Sequence, residues 1–120
     1  MEWIRVLFGS DAASRFGDLR DGLAKQPDMV VLRRVAARGL DLLLAVKEEE
    51  PDVVVVELRG GRLPGECSHV LAEEPHVMVL ALGTAAEAKI FRFDLQATDV
   101  SGLSTDGLAN AIRTVLRPAD

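Results

Sequence analysis

A three-layer α/β fold, a mostly parallel sheet with helices on both faces, is predicted by two features of this sequence. The first is the run Val53-Val54-Val55-Val56, set between Pro51-Asp52 and the glycine-containing loop Arg59–Gly65. Four consecutive β-branched residues read as a central strand buried on both faces of a parallel sheet. The second is the alternation of short β-forming runs with segments of helical period through the first 82 residues, the pattern of βαβ units.

Each element has its own signal. Trp3 to Phe8 is strand one. Gly9-Ser10-Asp11 is a turn in which Ser10 or Asp11 can cap a helix. Ala13, Phe16, Leu19, Arg20 and Leu23 recur at helical spacing, so 12–25 is expected as one helix, weakened at Gly17 and Gly22 by about 1 kcal/mol each relative to Ala. Gln26-Pro27-Asp28 breaks it, and Met29 to Val35 is strand two. Gly39 opens a second helix whose core stripe is expected to be Leu40, Leu43, Leu44 and Lys47, widened by Leu42 and Val46. Strand three is 52–58. Glu66 to Glu74 is a short third helix, stopped by Pro75, and His76 to Leu82 is strand four.

Beyond Gly83 the pattern changes. Phe91, Phe93, Leu95 and Ala97 alternate with Arg92, Asp94, Gln96 and Thr98, the period of a half-exposed strand. Only about seven residues separate it from strand four, too few for a parallel crossover. Strand five is therefore expected to return antiparallel, as a hairpin, with the helix usual at this point missing or very short. A competing reading takes Thr84-x-x-Glu87 as a capping box that opens a two-turn helix. Ser104 then caps a last helix with Leu108, Ala111, Ile112, Val115 and Leu116 inward.

Composition narrows the function. The 120 residues are expected to form a single domain, 1–120, with a net charge of −5, which argues against nonspecific nucleic-acid binding. No stretch approaches the roughly 18 apolar residues of a membrane span, and the N-terminus has no signal-peptide pattern. A single cysteine excludes an internal disulfide and fits a reducing cytoplasm.

The segments IRVLFGSDA and PDVVVVELR, and the stretch Val35 to Leu58 that leads into the second of them, resemble the receiver domain of bacterial response regulators. The resemblance covers nearly the whole chain and implies a flavodoxin-like sheet of order 2-1-3-4-5 and a role in signal transduction. It also implies a phosphoacceptor pocket, which is degenerate here. The family's magnesium-binding acidic pair falls on Ser10 and Asp11, its phosphoacceptor aspartate on Glu57, and its switch hydroxyl on Ala81. Its lysine has no clear equivalent; Gln96 stands nearest, and Lys89 lies before the strand. Phosphoryl transfer to a carboxylate needs Mg²⁺ and fixed donors, and Mg²⁺ tolerates misplaced ligands poorly. No catalytic residue and no cofactor are therefore expected.

Several readings of the remaining residues compete. Glu57 could mimic a phosphoryl group, but Ala81 offers no hydroxyl for it to draw in. The plainer expectation is that Glu57 or Asp11 pairs with Arg59, Arg62 or another nearby cation in place of a metal. Arg59-Gly60-Gly61-Arg62 could cradle an anion or nucleotide, although a connecting loop is the simpler account. Cys67, His69 and His76 lack converging metal-ligand spacing, so no metal is expected. Phe91, Arg92, Phe93 and Asp94 form a candidate partner edge, since an outermost strand has unpaired backbone groups.

The expected function is a non-catalytic pseudo-receiver that acts on another protein or on a second copy through the strand-five and last-helix region. The alternatives are a sensor of small anions or nucleotides at the strand C-termini, and a residual phosphoacceptor in a phosphorelay.

Overall fold

The valine run lies inside the sheet, as its composition demands. Val53, Val54 and Val55 have no exposed surface, because helices cover both faces of the strand they form. The computed structural model describes residues 3–83, 87–92, 97–101 and 104–116. In chain order the elements are β1 (Ile4–Gly9), α1 (Ser10–Arg15), α2 (Gly17–Ala24), β2 (Met29–Ala36), α3 (Leu40–Glu49), β3 (Val53–Glu57), α4 (Gly65–Glu73), β4 (Met78–Leu82), β5 (Glu87–Phe91), β6 (Ala97–Ser101) and α5 (Thr105–Leu116). The described strands form one mixed sheet of order β2-β1-β3-β4-β5-β6. The first four run parallel, β5 is antiparallel to β4, and β6 is antiparallel to β5.

Strand alternation sends successive side chains to opposite faces, and two cores result. On one face Ile4, Val6, Phe8, Val53 and Val55 pack with Leu19 and Leu23 of α2 and with Leu108 and Ile112 of α5. On the other, Leu7, Val54 and Val56 pack with Leu42 and Val46 of α3 and with Cys67, Val70 and Leu71 of α4. This is an α/β fold compatible with a three-layer sandwich. Among the described residues no helix is long and apolar enough to cross a membrane.

Four details depart from the sequence expectations. The predicted single helix over 12–25 is two helices, broken where Phe16 adopts φ −117° and ψ 45°. Gly9, not Ser10 or Asp11, holds the cap position of α1, and no side chain caps it. The core stripe of α3 is rotated: Leu42, Ala45 and Val46 are buried, while Leu40 and Leu44 are exposed. Apolar residues nearly encircle this helix, so packing against the sheet, and not its own pattern, selects the inward face.

The fourth detail concerns the sheet edge. The hairpin return after β4 is present, but the predicted strand over 90–98 straddles two strands. β5 is paired on both sides, so it is not an edge, and β6 is outermost. Phe91 closes β5 and packs against the α3–α4 core, and Arg92 follows it. Phe93 and Asp94 lie outside the described residues, as does the Thr84 end of the capping-box reading.

Candidate functional site

The candidate site is the C-terminal end of the parallel strands, where Gly9 of β1 stands in register with Ala36 of β2 and Phe8 with Val55 of β3. Because the strands end together, the residues just after them meet. Ser10 and Asp11 begin α1, Ala37 and Arg38 follow β2, and Glu57 ends β3. These residues, with Arg59 and Glu66, line one cleft. The structure thus brings together Ser10, Asp11, Glu57 and Arg59 from the sequence-derived candidates.

Ala81 is not among them. It is fully buried in the α3–α4 core beside Val56 and Val79. In the β3–β4 register it stands opposite Val56, and Leu82 stands opposite Glu57. The position matched to the switch hydroxyl therefore does not reach the acids.

Each acid of the cleft is held by a guanidinium. Arg15 of α1 donates from Nη1 to Glu57 Oε1 at 2.7 Å, and Arg38 donates from Nε to Asp11 Oδ2 at 2.7 Å. Arg59 donates from Nη2 to Glu66 Oε2 at 2.9 Å, and the same oxygen accepts the Gly39 backbone N–H at 2.9 Å. Three carboxylates thus meet three arginines. The hydrogen bond and charge of Asp11 push the Arg38 guanidinium further up from its usual value. Burial alone would raise the Glu66 carboxyl, but the N–H groups of Gly39 and of Glu66 itself, with Arg59, outweigh it and hold Glu66 below the usual carboxylate range.

These side chains fill the cleft. The free space left is about 20 Å³, room for roughly one water molecule. An Mg²⁺ ion demands near-octahedral oxygen coordination, and here one oxygen of each of the two acids, Asp11 Oδ2 and Glu57 Oε1, already accepts a guanidinium N–H. Among the described residues no group of three or more His, Cys, Asp or Glu is placed to hold a metal ion.

The Arg59–Arg62 loop is a tight turn. The Arg59 N–H donates to the Arg62 carbonyl at 2.9 Å and the Arg62 N–H to the Arg59 carbonyl at 3.0 Å. Gly60 and Gly61 between them have φ of 57° and 76°. A two-residue loop with both central residues at positive φ is the type I′ geometry, which favours Gly-Gly. The two flanking amides are consumed within the turn, and only Arg59 of the four residues lines the cleft. Cys67, on the inner side of α4, is fully buried, and burial above all pushes its thiol up to about 12, which disfavours the reactive thiolate.

Sequence reasoning missed Arg15, Arg38 and Glu66. Arg38 was findable, because it lies two residues beyond the end of β2, next to β1 in any parallel sheet of this kind. Arg15 lies one turn after Asp11 on α1. Glu66 carried no local signal. Comparison with protein-family models, curated proteins and solved structures finds no match for this chain.

Proposed function

We propose that this chain is a non-catalytic pseudo-receiver, a cytoplasmic signalling module that acts through protein–protein contact. The observation that carries this reading is the pairing of Glu57 with Arg15 and of Asp11 with Arg38, each at 2.7 Å. In a working phosphoacceptor pocket, Mg²⁺ neutralises the oxygens of the incoming phosphoryl group. Here cationic side chains built into α1 and the β2–α3 connection take that place. Each occupies one oxygen of its carboxylate, Glu57 Oε1 for Arg15 and Asp11 Oδ2 for Arg38. The small free volume also weighs against a resident nucleotide in the same cleft.

The region given to the partner is the outer edge of β6 with the adjoining α5, on another protein or on a second copy. β6 is the outermost of the described strands on that side, and an outer strand offers backbone donors and acceptors for pairing. Light scattering across concentration separates the two partners: mass that doubles identifies a homodimer.

Incubation with acetyl phosphate and Mg²⁺, followed by intact-mass measurement, tests the central claim. The expected result is no added phosphoryl mass. A phosphoryl adduct that disappears in Glu57→Ala or Asp11→Ala would overturn it.

A further inference from the structure

The far end of the sheet carries a second cleft of different character. It lies where β1, β3 and β4 begin and β5 ends. Trp3, Val30 and Leu116 line it with Arg5, Arg92 and Asp52, around about 710 Å³ of free space. That falls within the roughly 300–1,000 Å³ of small-molecule sites. Trp3 is 52% exposed and Val30 37%, and they are two of the four large hydrophobic residues exposed among the described residues. Apolar surface left open to water in a concave place is available to a ligand.

The charges differ from those of the acidic cleft. Arg15, Arg34, Arg38, Arg59 and Arg113 each pair with a carboxylate. Arg5 instead donates from Nε and Nη2 to the Glu49 carbonyl, at 3.1 and 2.7 Å, and Arg92 donates from Nη1 to the Val115 carbonyl at 2.8 Å. Among the described residues neither of these guanidiniums has a carboxylate within ion-pair distance. A carbonyl orients a guanidinium without cancelling its charge. Among the described residues each also keeps N–H donors, out of five, that meet no acceptor. Asp52, the carboxylate of the cleft, accepts the Arg5 backbone N–H at 2.9 Å. Among the described residues that line it, Arg5 and Arg92 stand with Asp52 and His76, so that lining is net positive on a chain of net charge −5.

We infer that this cleft binds a small amphipathic organic anion, its aromatic ring on Trp3, Val30 and Leu116 and its acid group on Arg92 and Arg5. Aromatic and apolar walls with a few convergent polar groups are what such a ligand requires, and arginine suits a planar or multi-oxygen anion.

Trp3 is the single tryptophan of the chain and lines this cleft, so the energy-transfer donor has one known position and the variants below locate the probe. The test titrates the full chain with 8-anilinonaphthalene-1-sulfonate and reads energy transfer from Trp3. N-phenyl-1-naphthylamine, which has the same rings without the sulfonate, is the neutral arm. The expected result is one saturable site for the sulfonate, weakened about tenfold or more by Arg92→Met and unchanged by Arg62→Met on the remote exposed turn. The neutral probe is expected to bind more weakly and to ignore Arg92→Met. If Arg92→Met fails to fold, Val30→Asp puts a negative charge at an exposed position of the cleft and is expected to weaken the sulfonate by a similar factor. Equal binding of both probes, transfer that never saturates, or a folded variant with unchanged affinity would each overturn the inference.

Discussion

Glu66 is the most enclosed acid of the cleft, with 12% of its side chain exposed against 21% for Glu57 and 37% for Asp11. Burial opposes its charge, yet the Gly39 N–H, its own N–H and Arg59 prevail and keep the folded carboxyl more acidic than usual. An unfolded glutamate titrates near about 4.3. The stabilisation is therefore complete above that pH and is lost as pH falls through the lower folded value. Glu66→Gln should cost about 1–3 kcal/mol in urea unfolding at neutral pH, since the bonds from Gly39 and Arg59 lose their charged acceptor. The gap between variant and native chain should narrow below about pH 4; a gap that persists unchanged into stronger acid would refute the assignment. The sequence showed where the acid after β1 and the acid at the end of β3 would lie, because strand ends are legible from turn residues. It did not show which cations would meet them. Arg15 and Arg38 come from segments whose approach depends on tertiary register, and Glu66 reaches the cleft from a helix on the opposite face.

At the scale of elements, close approach of helices overrides local propensity. Gly22 lies inside α2, where alanine would ordinarily stabilise a helix by about 1 kcal/mol. A Cβ there would stand 2.6 Å from both Oγ1 and Cγ2 of Thr105, at the start of α5. Overpacking of that kind costs about 1–3 kcal/mol, so the net effect of Gly22→Ala should be a lowered melting temperature. Thr105→Ala should recover part of the loss, because it removes the two nearest atoms and leaves Cβ at 3.1 Å. Additive losses in the double variant would show that the helices do not meet there. The same dependence on neighbours limited what could be read in advance. The valine run of β3, the parallel strands and the antiparallel return after β4 were legible, because periodicity and loop length decide them. The rotation of α3 was not, because LDLLLAVKEE is apolar on most sides. The alternation from Ile90 to Thr98 concealed a break between β5 and β6, since strict alternation does not mark where a strand turns.

Across the whole molecule, one side chain ties the last helix to the first half of the chain. Arg113 of α5 grips Asp28 with two bonds of 2.8 Å, from Nε and Nη2, across a separation of 85 residues. Nη2 also donates to Gln26 Oε1 at 2.7 Å, and Nη1 donates to Asn110 Oδ1 at 3.0 Å. The Arg113 and Asp28 side chains are only 29% and 16% exposed, so water screens this pair less than an open surface pair. Arg34 offers the contrast. It meets Asp41 at 3.4 Å and Glu48 at 3.2 Å, partners that are 42% and 62% exposed. Two-pronged, partly buried geometry belongs with the strong charge-assisted bonds, and exposed single contacts belong with the weak ones. Arg113→Met should therefore cost about 1.5–3 kcal/mol, and Arg34→Met clearly less, as an exposed pair does. Because α5 covers one face of the sheet and is fastened at this corner, amide exchange in Arg113→Met should quicken in α5 more than in β3, which remains buried between both layers. Equal losses in the two variants, or exchange that rises uniformly through the chain, would mean that α5 is held by its apolar stripe alone.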